Sequence, residues 1–148
     1  MQLRNLSLND YEEFVNMLYC FMQETNEEDI QTPKYFYYKE AIRMINDKDT
    51  HIIIASNKKD ICGFSVCRVD TLNGMLEDFY SCDYCYVKPE YRNTKAGYML
   101  FKNGYNVAKE NNLAIRVNGR IENGVAKMIE KHFKLKPKYT LLQGEING

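Results

Sequence analysis

The sequence predicts one α/β domain of the α+β kind, with elements in the order β-α-α-β-β-β-α-β-α-β. Two observations predict it. Apolar residues recur at helical spacing in four separate segments, and between them lie β-branched or aromatic runs bounded by turn residues. A third observation sets the domain count: no internal repeat, low-complexity tract or Pro/Gly/Ser-rich linker divides the 148 residues, so residues 1–148 read as a single domain.

The elements follow in chain order. Gln2–Leu6 alternates as a short strand. Asn9, with Glu12 three residues on, reads as a helix N-cap. Tyr11, Phe14, Val15, Leu18 and Met22 then make one apolar stripe from Asp10 to about Gln23. The acidic stretch Glu24–Asp29 ends that pattern. Thr32 as N-cap and Pro33 as first helical residue start a second helix, carried by Tyr37, Ala41, Met44 and Ile45 to Asn46-Asp47. Ile52–Ala55 and Ile61–Val69 form a hairpin across the turn-like Ser56–Asp60, and Asn73-Gly74 predicts a type I′ turn with an antiparallel return strand from about Leu76 to Val87. Gly97–Asn111, with Leu100, Gly104, Val107 and Ala108, is an amphipathic helix. Leu113–Val117 is a strand, a helix of about ten residues carries Val125, Ala126, Ile129 and Phe133 on one face, and Tyr139–Ile146 closes the chain as a strand.

Composition excludes several classes. With 45% hydrophobic and 27% charged residues the chain has the balance of a folded globular protein. Lys+Arg and Asp+Glu are equal at 20 each, so no global positive field draws it to nucleic acid. The longest apolar run, around Ile52–Ala55, is too short for a membrane span, and Met1–Asn5 lacks the order of a signal peptide, which points to a cytoplasmic protein. Five cysteines are then expected as reduced thiols. Cys82 and Cys85 are spaced as C-x-x-C and could complete a zinc site with Cys62 and Cys67. Both pairs lie in strand-like runs, where residues three or five apart point to opposite faces, so no metal is expected. A zinc-stabilised protein would carry stoichiometric metal and unfold with chelator.

Tyr86–Leu100 runs from a strand through a short turn into a helix, an arrangement that suits an anion. Backbone N–H groups at a helix N-terminus lack intrahelical partners and the helix dipole adds positive charge. Gly97 permits close backbone approach, and Arg92 and Lys95 bring full charges suited to a pyrophosphate. The same features also describe a plain helix start after a strand.

This stretch resembles motif A of the Gcn5-related N-acetyltransferase (GNAT) superfamily, with its strand-x-Pro-Glu-Tyr-Arg lead and Arg/Gln-x-x-Gly-x-Gly loop. Pro89-Glu90-Tyr91-Arg92 matches the lead, Arg92 the first loop position and Gly97 the last, while Lys95 replaces the first glycine. Ile129–Leu135 is similar to the family's Tyr-Glu-Lys-Leu-Gly-Phe segment. The resemblance implies a mixed, mostly antiparallel central sheet of six to seven strands flanked by four helices, with acetyl coenzyme A as cosubstrate and no metal. It places Arg92, Asn93, Thr94, Lys95, Ala96 and Gly97 around the pyrophosphate, with Tyr98 continuing the helix N-terminus. The main chain of Cys85, Tyr86 and Val87 would lie along the pantetheine arm, and Asn123 near the last helix would touch the cofactor. The lysine at position 95 implies a loop shaped without glycine there, or a looser cofactor.

The implied activity is acetylation of a primary amine, small-molecule or protein-borne, by direct attack in a ternary complex. An attacking amine must be uncharged, so a base is needed. Asp83 is the first candidate, at a strand position where family members carry an acid and where regular alternation sets it on one face with Cys85 and Val87. Glu77 and Asp78 are alternatives. Asp83 also reads as an ion-paired strand residue. The family's general-acid tyrosine corresponds to Ile129, and Tyr139, Tyr98 or His132 are possible substitutes. Glu24, Glu27, Glu28 and Asp29, followed by Tyr35–Tyr38, suit a cationic amine through ion pairs and cation–π contact, or form only a solvated loop. Family members often pair through C-terminal strands, which offers Tyr139–Ile146 as a candidate homodimer surface. The departures at Lys95 and Ile129 support a second reading, a catalytically weak or inactive coenzyme A-binding module with a regulatory or structural role.

Overall fold

The structure, a computed structural model, describes residues 1–25, 32–71, 78–117 and 124–136 together with Gly144. Its elements are β1 (Gln2–Asn5), a 3-10 turn (Leu8–Asp10), α1 (Tyr11–Thr25), α2 (Lys34–Asn46), β2 (Thr50–Asn57), β3 (Asp60–Thr71), β4 (Asp78–Val87), a second 3-10 turn (Pro89–Tyr91), α3 (Ala96–Glu110), β5 (Ala114–Val117) and α4 (Gly124–Phe133). The sheet order is β1-β2-β3-β4-β5. Neighbours are antiparallel except β4 and β5, which run parallel because α3 crosses over between them. Five strands are thus found among the described residues, against the six to seven expected. The predicted closing strand Tyr139–Ile146 lies outside the described residues.

Helices cover both faces of the sheet. On one, Phe14, Val15 and Leu18 of α1 and Tyr37, Ala41 and Met44 of α2 bury against Ile52, Ile54, Phe64 and Val66, with the Phe14 and Phe64 rings edge-on at 5.0 Å. On the other, α3 and α4 bury Leu100, Phe101, Ala108 and Ile129 against Ala55, Cys67, Tyr80, Cys82 and Val87. Burying a large aliphatic or aromatic side chain is worth about 1.5–3 kcal/mol, so these two layers dominate the fold's stability. No helix among the described residues is long and apolar enough to cross a membrane.

Several boundaries shift for local reasons. The first helical segment is capped at Ser7, two residues before Asn9, because the Asp10 carboxylate accepts the Ser7 N–H (2.8 Å) and hydroxyl (3.0 Å) and pairs in fork geometry with Arg4 at 2.5 and 2.8 Å. That pairing holds Asp10 at a pKa of about 2. α2 begins at Lys34, with extended Pro33 (ψ 143°) as its cap in place of Thr32. Thr71 pairs with Asp78, so β3 and β4 are antiparallel neighbours on either side of residues 72–77. Asn73, Gly74 and Leu76 lie outside the described residues.

Two bulges change which residues share a face. In the β2–β3 ladder Ala55 pairs with Gly63 and Ser56 with Ile61, which turns the unpaired Cys62 toward α3. In the β3–β4 ladder Val66 pairs with Tyr84 and Cys67 with Cys82, leaving Asp83 as the extra residue. One inserted residue reverses the alternation beyond it. Cys82 and Cys85 therefore both pack against the core beneath α3 and α4, contrary to the expectation that residues three apart diverge. That geometric ground for excluding zinc does not hold; among the described residues, no group of three or more metal-ligating side chains is positioned to hold an ion.

Candidate functional site

The site begins where β4 leaves β5. Their ladder runs from Phe79 opposite Ala114 to Cys82 opposite Val117, and ends at the bulge. Beyond it, Cys85, Tyr86 and Val87 stay paired with Ser65, Phe64 and Gly63 of β3, while on their other edge they have no strand partner among the described residues. That edge offers main-chain donors and acceptors to an extended ligand.

Gly63 fixes the position of this edge. A Cβ there would lie 2.3 Å from the Tyr86 carbonyl oxygen and 3.0 Å from Val87 Cα, so only glycine lets β3 lie so close to the end of β4. Sequence reading missed Gly63. Its signal was a glycine inside the β-branched run Ile61–Val69, the mark of a bulge or close backbone approach.

The turn after β4 is held by local bonds. Lys88 N–H donates to the Cys62 carbonyl at 2.8 Å, and Arg92 Nε donates to the Val87 carbonyl at 3.0 Å. The Thr94 hydroxyl donates to the Tyr91 carbonyl at 2.5 Å and accepts the Ala96 N–H at 3.3 Å. Lys95 sits in right-handed backbone (φ −77°, ψ 0°), so the family's first glycine is not needed for this shape. Met99 N–H returns to the Lys95 carbonyl at 2.9 Å, and between these bonds the N–H groups of Gly97 and Tyr98 meet no acceptor among the described residues. A Cβ on Gly97 would meet only Val87 Cγ2, at 3.6 Å. Asn93, Thr94, Lys95 and Tyr98 are exposed and Ala96 is buried.

Arg92 does more than present charge. Its Nη2 donates to both carboxylate oxygens of Glu24 at the end of α1, at 2.8 and 2.6 Å, and its guanidinium stands 5.7 Å from the Tyr86 ring centroid. At the other end of the same turn Lys88 pairs with Glu13. The turn is thereby strapped to both ends of α1. Burial pushes the Tyr86 hydroxyl and the Cys85 thiol each up to about 12, which keeps both protonated at neutral pH.

Asp83 departs from its expected setting. Arg68 Nε donates to one of its oxygens at 2.5 Å and the Ser81 hydroxyl to the other at 2.7 Å, while Arg68 also pairs with Asp70 at 3.3 Å. Arg68 and Ser81 are register partners, so Asp83 shares their side of the sheet, opposite the Cys85 and Val87 side chains. The bulge is the physical reason. Asp78 is seven residues from Cys85 along β4, about 23 Å at strand rise, too far to serve the open edge. Glu77 lies outside the described residues.

Ile129 is 3% exposed and packs with Phe101 and Cys82, an aliphatic core position that cannot donate a proton. Tyr98 and His132 are brought together, ring centroids 5.8 Å apart and edge-on, with Phe133 5.5 Å from Tyr98. The run Tyr35–Tyr38 divides: Tyr35 and Phe36 are exposed, Tyr37 is core, and the Tyr38 hydroxyl donates to Glu12 at 2.6 Å. Glu27, Glu28, Asp29, Asn123 and Tyr139 lie outside the described residues. A separate cleft of about 390 Å³, lined by Glu13, Lys59, Asp60, Ile61, Lys88, Glu90 and Tyr91, shares no residue with Cys85–Val87 or Arg92–Tyr98.

An open strand edge leading to uncapped N–H groups at a helix start, with cations beside them, is an arrangement suited to an extended, anionic ligand. A model of the Acetyltransferase (GNAT) family matches residues 12–128, and the chain belongs to that family. No curated protein matches the sequence. Solved structures share the fold at low identity. A transcriptional regulator from Bacillus halodurans C-125 is 17% identical with a TM-score of 0.77, covering 98% of this chain and 99% of its own. Ribosomal-protein-alanine N-acetyltransferase from Brucella melitensis biovar Abortus 2308 is 16% identical with a TM-score of 0.74, covering 99% and 100%. The aminoglycoside N-acetyltransferase AAC(6')-Iy, solved in complex with CoA, is 10% identical with a TM-score of 0.77, covering 99% and 95%.

Proposed function

We propose that the protein transfers an acetyl group from acetyl coenzyme A to a primary amine by direct attack in a ternary complex. The observation that carries this reading is the convergence of the open β4 edge, Cys85–Val87, with the uncapped N–H groups of Gly97 and Tyr98. These features fit the cosubstrate: an extended edge for the pantetheine amides, and helix-start donors with Lys95 and Arg92 for the pyrophosphate. Asn93, Thr94 and Ala96 shape the loop and Asn123 completes the proposed set. Family membership and the CoA complex of AAC(6')-Iy support the same assignment.

Bound acetyl coenzyme A would supply an activated acetyl thioester. Asp83, at the bulge where β4 parts from β5 and oriented by Arg68 and Ser81, accepts the amine's proton directly or through a water. Ile129 offers no proton to the departing thiolate, which is a good enough leaving group to do without one. The acceptor is a small-molecule or protein amine, in a cytoplasmic protein that pairs through Tyr139–Ile146. A catalytically weak binding module is favoured by one observation, the buried Ile129 at the acid position.

Isothermal titration of acetyl coenzyme A into wild type and an Arg92→Ala, Gly97→Asp double variant, followed by an amine screen reading free thiol, tests the proposal. Binding lost in the double variant together with amine-dependent thiol release is expected. Binding without release under every amine would leave the module reading, and no binding at millimolar ligand would overturn both.

A further inference from the structure

We infer that Glu24 recognises a cationic group on the acceptor, and that Arg92 covers it until acetyl coenzyme A arrives. The inference rests on the cofactor placement proposed above. Arg92 is common to both partners. Its Nε is anchored on the Val87 carbonyl, so the guanidinium can turn about a fixed point, and Nη2 alone carries the link to both Glu24 oxygens.

The two side chains are 45% and 44% exposed, and a pair this solvated is weak enough to exchange. A pyrophosphate at the start of α3 brings stronger charge-assisted acceptors to the same guanidinium. Once Arg92 turns to it, Glu24 is left without its cation in the last turn of α1, where the helix dipole already disfavours an anion. The Lys88–Glu13 strap at the other end keeps α1 in place, so the exchange exposes one carboxylate and moves no element.

The group that replaces Arg92 must itself be a cation. The attacking nitrogen has to be uncharged at the moment of transfer, so a carboxylate that reads charge requires a second ammonium on the acceptor. Glu24 therefore selects molecules with at least two amines, and coenzyme A and such acceptors bind with positive coupling, each tightening the other.

Calorimetry of putrescine and 1,4-butanediol, each with and without saturating coenzyme A, tests this on wild type, Glu24→Gln and Glu13→Gln. In wild type, coenzyme A is expected to tighten putrescine about two- to fivefold, the ceiling set by an exposed pair, and to leave its uncharged analogue 1,4-butanediol unchanged. Glu24→Gln is expected to abolish that coupling and to bind coenzyme A about two- to fivefold tighter, because its competitor for Arg92 is gone. Glu13→Gln, which loses the equivalent strap, should keep the coupling. Coupling that survives Glu24→Gln, or putrescine affinity indifferent to coenzyme A, overturns the inference while coenzyme A binding still stands. Failure of wild type to bind coenzyme A at all fails the cofactor placement, and the inference with it.

Discussion

Gly63, the register partner of Val87, lies so close to the preceding Tyr86 peptide of β4 that the smallest side chain on Gly63 would overlap the Tyr86 carbonyl oxygen, at 2.3 Å. Both obstructing groups are backbone, so relief requires the strands to part. Gly63→Ala is expected to destabilise the fold by about 1–3 kcal/mol and to weaken acetyl coenzyme A through a displaced β4 edge. Urea denaturation and calorimetry on the same variant read the two effects.

Gly97 makes the opposite case. Its added Cβ would meet a side-chain methyl at an ordinary 3.6 Å. Gly97→Ala should therefore change stability by no more than about 0.5 kcal/mol, yet weaken coenzyme A about tenfold by crowding the N–H groups. A stable variant with unchanged affinity would remove Gly97 from the cofactor loop.

Asp83 is the proposed proton acceptor, on the ground of its position at the bulge. Asp83→Asn is expected to lower kcat about 100-fold while leaving the dissociation constant of acetyl coenzyme A unchanged. Equal loss in an Arg68→Met variant that retains Asp83 would show the ion pair itself, and the carboxylate's orientation, to be what the reaction needs.

The Arg4–Asp10 pair predicts the acid limb of stability. Arg4 lowers the Asp10 pKa from 3.8 to about 2, so the folded state binds its proton less readily than the unfolded state. Stability is full above pH 4 and is lost as the pH falls from 4 toward 2. Arg4 is 40% exposed, and with that screening the contribution is about 1 kcal/mol. Asp10→Asn should flatten that part of the pH profile, measured by thermal melts.

Thiol titration separates the cysteines. Cys20 is exposed, Cys62, Cys67 and Cys82 are buried, and burial raises Cys85 to about 12. A disulfide-exchange reagent at pH 7.5 should find one fast thiol in native protein and five after denaturation.

The helices were legible because each carries its own periodicity: the stripe from Tyr11 to Met22 needs no knowledge of a partner. Register is a different matter. Whether Asp83 faces the same way as Cys85 depends on Cys67 pairing with Cys82 while Val66 pairs with Tyr84, and nothing within β4 alone encodes that offset. Alternation counted along one strand therefore put Asp83 on the wrong side and held Cys82 and Cys85 apart. Glu24 and Arg92 were each singled out, but for separate partners. Contact between residues so distant in sequence is a tertiary property, visible only once α1 lies beside the turn after β4. The Pro89–Gly97 segment could be read because a helix start creates its donors locally.

Lys95 adopts its loop conformation with ordinary right-handed dihedrals. A glycine at that position would leave the unfolded chain, and the loop before any ligand arrives, a wider choice of conformations. With lysine the entropic cost of shaping the loop falls on folding rather than on ligand capture. The departure from the family pattern thus makes the proposed phosphate cradle pre-organised, with a cation already mounted on its rim.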